Sequence, residues 1–134
     1  MKQSVSIFMI AIIFISCGTR HAETVENFIP GLYVKQIKQE FAIGMDTIFI
    51  NLFDKQTSSY KIIRKSSYQQ MIDGKMLSPK QEVHNWIAYL DLSKNQLIEP
   101  NSERVFTFLP DKNMLLMGSS QFNKVNPAIT KNRK

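Results

Sequence analysis

The chain is poor in the residue types on which most enzymes and metal proteins depend. Its 134 residues include one cysteine, Cys17, and two histidines, His21 and His84. A single cysteine closes no disulfide within the chain, and a zinc site needs three or four ligands of suitable type and spacing. A disulfide-stapled fold and a zinc site are therefore excluded, and no cofactor is expected. The five glycines are scattered, so there is no glycine-rich loop to cradle a phosphate. Beyond the amino terminus no segment repeats apolar residues at helical spacing over a full helix length, which argues against a helical domain. Carboxylates are also short in number: 11 acidic residues face 17 Lys and Arg, for a net charge of +6. Much of that excess sits at the carboxyl end, where Lys124, Lys131, Arg133 and Lys134 meet no acidic residue. The middle of the chain is close to neutral and has no basic face, so nucleic acid is not an expected partner.

What is present begins with a leader. Lys2 is the only charge before Arg20, and residues 5–15 form an apolar run broken only by Ser6. A spanning helix needs about 20 apolar residues, so this run is too short to cross a bilayer and fits the core of a signal peptide. Phe14-Ile15-Ser16-Cys17 follows, with a small residue just before the cysteine. It resembles a bacterial lipobox, which implies removal of residues 1–16 and lipidation of Cys17. A free thiol in an oxidising compartment is a liability that thioether attachment removes, and several acyl chains suffice for stable anchoring. Residues 17–27 then read as the lipidated cysteine and a polar tether with a reach of about 16–19 Å. Residues 28–126 read as one β-domain, and residues 127–134 as a solvated basic tail.

The β reading rests on period-two alternation between turn signals. Leu32-Tyr33-Val34-Lys35-Gln36-Ile37 is rich in β-branched and aromatic residues. In the next segment Ile48, Ile50 and Leu52 share one face, against Thr47, Phe49, Asn51 and Phe53. Tyr60, Ile62 and Arg64 alternate with Lys61, Ile63 and Lys65. Asp73-Gly74 after Tyr68 to Ile72 is a hairpin signal, favoured where both turn residues need positive φ. Trp86, Ala88 and Leu90 oppose Ile87 and Tyr89, while Pro79 and Glu82 admit one helical turn within residues 78–86. Gln96-Leu97-Ile98-Glu99 is a short strand, and Pro110-Asp111-Lys112-Asn113 separates Arg104–Leu109 from Met114–Met117. Phe122 and Val125 anchor a final edge strand. Roughly eight strands at short, even spacing predict an all-β, antiparallel up-and-down meander, closed as a barrel or left as a half-open sandwich.

No catalytic constellation stands out. His84 is the only base within the domain, and neither Ser66, Ser67 nor the Ser119-Ser120 pair sits in a nucleophile elbow. His84 reads as a strand residue beside Trp86. Asp46 and Asp91 could be paired carboxylates, but Asp beside a turn more often stabilises that turn. The aromatics carry more information. One set must fill the interior, and Tyr33, Tyr68, Trp86 and Tyr89 are candidates to contact a ligand or partner.

Two resemblances emerge from these segments. Gly31-Leu32-Tyr33-Val34 resembles the Gly-x-Trp or Gly-x-Tyr opening of lipocalin-like domains. Tyr60-x-Ile62-x-Arg64, Tyr68-Gln69 and Gly74-Lys75-x-Leu77-x-Pro79-Lys80 are similar to a family of small Bacteroidetes lipoproteins often carried on conjugative elements. So are Phe106-x-Phe108-x-Pro110-Asp111-Lys112-Asn113, Gly118 and Phe122-Asn123-Lys124-Val125. The resemblance implies an anchored lipocalin-like β-meander and supplies no catalytic residues. Surface-exported lipoproteins of that phylum tend to carry acidic residues soon after the cysteine; Gly18-Thr19-Arg20-His21-Ala22-Glu23 has no acidic pair. The expected location is therefore the cell envelope, at the outer membrane facing the periplasm.

The expected function is non-enzymatic binding of an envelope protein, in a setting such as conjugative transfer. Alternatives are a small apolar ligand held in a lipocalin-like cavity, and inhibition of an envelope hydrolase by a rigid loop such as residues 110–113. A large apolar cavity would favour the small ligand. A filled interior with an exposed apolar surface would favour a protein partner.

Overall fold

The computed structural model describes residues 24–126. The leader, Cys17, His21 and the basic tail lie outside the described residues. The domain opens with one helical turn, α1 (Val25–Phe28), where the Thr24 hydroxyl accepts from the Asn27 amide. The strands are β1 (Gly31–Gln39), β2 (Ala42–Asp54), β3 (Ser59–Ile72), β4 (Lys75–Met76) and β5 (Lys80–Asp91), followed by β6 (Gln96–Glu99), β7 (Arg104–Leu109), β8 (Met114–Met117) and β9 (Ser120–Lys124). A 3-10 turn, Pro110–Lys112, joins β7 to β8.

Pairing is antiparallel throughout and follows chain order from β1 to β2 to β3 to β5, then through β6, β7 and β8 to β9. β9 returns to β1 through Tyr33↔Lys124 and Val34↔Asn123. The ladder thus closes on itself as an eight-stranded, lipocalin-like up-and-down barrel, with β4 as an added piece. β4 and β5 lie along the same side of β3, and the register slips by one residue between Met71↔Met76 and Tyr68↔Lys80. Asp73 (φ 51°) and Gly74 (φ 73°) make the turn before β4, both left-handed. That is the backbone an Asp-Gly hairpin connection supplies.

Two elements differ from the sequence reading. The helical turn admitted within residues 78–86 is strand from Lys80 onward, because its residues pair with β3 continuously from Tyr68↔Lys80 to Ser59↔Tyr89. Pro79 sits just ahead of the strand, where its missing N–H interrupts no ladder. The helical turn that does form is α1, at the junction of tether and domain, and Phe28 and Ile29 beside it are fully buried.

Inward positions of the strands build the core. Tyr33, Ile48, Ile50, Ile62, Ala88, Leu97, Phe106, Phe108, Leu115 and Phe122 are buried, and Phe28 and Ile29 plug one end. Phe28, Tyr33 and Phe108 meet edge to face with centroids 6.0–6.3 Å apart, a geometry that aligns ring edges with ring faces. Leu52, which shares the alternation of Ile48 and Ile50, is exposed beside the register shift between Leu52 and Asp54, whereas those two are buried. Both described chain ends lie at the plugged end. The Val125 amide donates to the Leu32 carbonyl at 2.8 Å, and the Lys124 ammonium donates to the Phe28 carbonyl.

Strand length divides the molecule. β2, β3 and β5 have 13, 14 and 12 residues, whereas β6 to β9 have no more than 6. The long strands with β1 therefore run past the closed wall as a curved ribbon, away from the plug. Gly44 belongs to this ribbon. A Cβ there would fall 2.1 Å from the Ser67 carbonyl oxygen, so only glycine permits the close approach of β2 and β3.

Candidate functional site

Cross-strand partners share a face, so the register identifies what lines the unplugged mouth. Asp46 on β2 points inward with Ile48 and Ile50, and Arg64 and Ser66 on β3 point inward with Tyr60 and Ile62. The Arg64 Nε and Nη2 donate to the Asp46 carboxylate, the shorter contact being 2.6 Å, and the Ser66 hydroxyl donates to Asp46 Oδ1 at 2.9 Å. Asp46 is buried and Arg64 partly exposed. The hydrogen bond to Asp46 holds the Arg64 guanidinium above its ordinary value, with partial burial opposing it. Asp46 is therefore a structural anion within a strand. The expected turn-stabilising role is corrected here, since its nearest partners come from another strand. Asp91 does stabilise a turn: its carboxylate accepts from the Ser93 hydroxyl and amide, and these bonds hold it below its ordinary value.

Next around the mouth comes a stack. His84 lies parallel to Trp86 with centroids 5.6 Å apart, and the Arg104 guanidinium lies 4.3 Å from the Trp86 centroid. Trp86 also touches Phe106. His84 Nε2 is 3.9 Å from the Glu82 carboxylate, which also accepts from the Tyr68 hydroxyl at 3.2 Å. That hydrogen bond, with the Glu82 charge, raises the Tyr68 phenol above its ordinary value. On the far side Lys35 donates to Ser120 at 2.8 Å. Glu99 is consumed by its own turn, accepting from the Asn101 and Ser102 amides and the Ser102 hydroxyl, which lowers its carboxyl below the ordinary range. Among the described residues no group of three or more His, Cys, Asp or Glu side chains comes together to hold a metal ion.

The four candidate contact residues separate. Tyr33 is wholly buried, its hydroxyl 2.9 Å from the Phe28 and Ile29 carbonyls, to which it donates. It ties the plug to the wall and is corrected from contact residue to core. Tyr68 and Trp86 are half-buried on the inner face of the mouth, and Tyr89 is exposed on the outside.

The outer surface is the less expected feature. Every large apolar side chain classed as exposed among the described residues lies between Leu32 and Leu92; none is on β6 to β9. Phe41 (64%), Phe53 (63%), Leu92 (58%) and Val83 (56%) are the most open on or beside the long strands. Leu32↔Phe49↔Ile63 forms one outward row across β1, β2 and β3, with Val34↔Thr47↔Lys65↔Val83 beside it. Leu32, Thr47, Phe49, Ile63 and Lys65 line a 230 Å³ pit there. Two larger clefts, of 390 and 330 Å³, flank Pro30 at the plugged end and have mixed linings. Sequence patterning found the alternation of Phe49 with Ile48 and Ile50 but not which set faced water.

No protein-family model matches the chain, and no curated protein or solved structure is significantly similar to it.

Proposed function

We propose that this chain is a lipid-anchored envelope protein that binds a protein partner without catalysis. The observation that carries the reading is a filled interior combined with apolar exposure confined to the long-strand side. Large side chains fill the barrel where a small apolar ligand would sit, and an apolar surface of this extent is a mark of protein association. The ribbon also has open backbone edges, since β1 beyond Val34 pairs only with β2, and β5 before Tyr89 pairs only with β3. Such edges and faces are what protein partners add to. The inhibitor alternative is met only in its rigid loop. The loop at residues 110–113 is tied to β9, with Asn113 Nδ2 donating to the Lys124 carbonyl and the Lys124 amide to the Asn113 carbonyl.

The anchor is Cys17, read from the lipobox resemblance; the lack of an acidic pair in Gly18-Thr19-Arg20-His21-Ala22-Glu23 favours the outer membrane facing the periplasm, and the setting is an envelope assembly such as a conjugative one. The described ends emerge at the plug, so an anchored chain presents its ribbon away from the tether. Two measurements test this reading. Cys17→Ser should abolish lipid labelling and leave the β-domain folded; persistent labelling refutes the anchor. Full-length protein cross-linked in its native envelope should give adducts that a Phe41→Ser/Phe53→Ser variant loses and a Leu92→Ser variant keeps. Adducts indifferent to all three substitutions, or none at all, reject the partner reading.

A further inference from the structure

The outer face of β1, β2, β3 and β5 has a charge pattern as well as apolar exposure. Ile63 sits at its centre. Lys61 and Lys65 lie two residues to either side and so on the same outward face. Phe49 and Leu32 continue the row from Ile63 toward β1, and Val83 is the outward partner of Lys65 on β5. Outward positions on these four strands, from Leu32 to Tyr89, hold no carboxylate. Their charges are Lys38, Lys61 and Lys65, and none of these makes an ion pair with another described residue. The mid-strand carboxylates Asp46 and Glu82 point to the other face, where Arg64 and Tyr68 engage them.

We infer that this face is the docking surface of the proposed function, and that it takes a protein segment carrying an apolar side chain beside one or more carboxylates. The inference rests on the protein-binding reading and specifies its partner. The apolar side chain enters the pit between Leu32, Phe49 and Ile63. Lys65 stands at the rim of that pit, with Thr47 donating to its carbonyl at 3.0 Å. Lys61 and Lys65 receive the carboxylates. A concave socket of 230 Å³ has room for a side chain, whereas a lipid surface is met by protruding side chains rather than a pit. Complementary charge across such an interface guides encounter and rejects like-charged partners.

The test places a photo-cross-linking phenylalanine at position 83, and in a separate variant at position 68 on the inner face, of the full-length chain in its native envelope, with position 92 as the off-face control. The expected result is an adduct at 83 whose partner peptide contains Asp or Glu. Lys61→Glu/Lys65→Glu should cut its yield about ten-fold, and Lys61→Arg/Lys65→Arg should retain it. An adduct at 83 that survives charge reversal overturns the acidic-partner inference and leaves protein binding standing. Adducts at Tyr68 but not at 83 overturn the choice of face. Adducts at none of the three positions overturn the protein-binding reading itself. Flotation of the purified chain with phosphatidylglycerol vesicles, lost on charge reversal, would make an anionic lipid surface the occupant and overturn the proposal.

Discussion

The plugged barrel and the projecting ribbon share four strands, yet the inward positions of one are apolar and buried while those of the other are polar and partly open. At the plugged end β1, β2, β3 and β5 curl round to face the short strands β6 to β9, and the inward side chains other than Leu52 find a wall opposite. Toward the mouth that wall stops. There the inward positions become Asp46, Arg64, Ser66, Glu82 and His84, which satisfy one another or water, while outward positions carry Ile43, Met45 and Val83. A closed barrel has a single inside, so alternation separates apolar from polar cleanly. A ribbon has two accessible faces, and alternation alone decides only that they differ.

Five substitutions press on that contrast, from the largest effect to the smallest. Phe108→Ala removes a fully buried ring from the plugged end and should cost about 3–5 kcal/mol in urea unfolding. A cost under 1 kcal/mol would show that the barrel end is no tighter than the ribbon. Asp46→Ala strands Arg64 at the boundary between the two regions and should cost about 3 kcal/mol. Adding Arg64→Leu should recover part of that loss, because the uncompensated cation goes with it. On the outer face, Phe49→Ser or Val83→Ser should shift stability by no more than about 0.5 kcal/mol, while weakening partner cross-linking. A large stability loss there would mean that the outer apolar row is part of the core.

The last test uses pH. Hydrogen bonds from Ser102 hold the Glu99 carboxyl below its unfolded value. Its contribution to stability is therefore present above the unfolded carboxyl range and is lost as pH falls through the folded value. Ser102→Ala should be less stable than the parent at neutral pH, and the difference should close in acid. A difference that widens in acid would contradict the assigned direction.

Much of the barrel could be read from local chemistry. Asp73-Gly74 announced its hairpin because few other pairs accept two left-handed residues in a row. The sets Tyr60-Ile62-Arg64 and Trp86-Ala88-Leu90 were visible as alternation, and each does share a face. What stayed hidden needed a partner strand. Nothing local says that Asp46 will meet Arg64, although a charged residue in register with Ile48 and Ile50 was the available signal. Tyr33 looks like a surface aromatic until Phe28 and Ile29 fold over it. Leu52 falls in the buried register and still reaches water, because the strand outruns the core.

The seam between β9 and β1 has a consequence for how the chain folds. Every other pairing in the barrel joins strands that follow one another in sequence or, for β3 and β5, are separated only by the two-residue β4, so each forms by a short loop closure. The seam joins opposite ends of the domain: Lys124 reaches Phe28 across 96 residues. Its ladder is two residue pairs long, against nine between β1 and β2. Closing so long a loop for so few bonds is entropically expensive, so the hairpins assemble first and the seam zips last. In native hydrogen exchange the β9 amides should open before those between β2 and β3. The barrel would then breathe at the place where its two described ends meet.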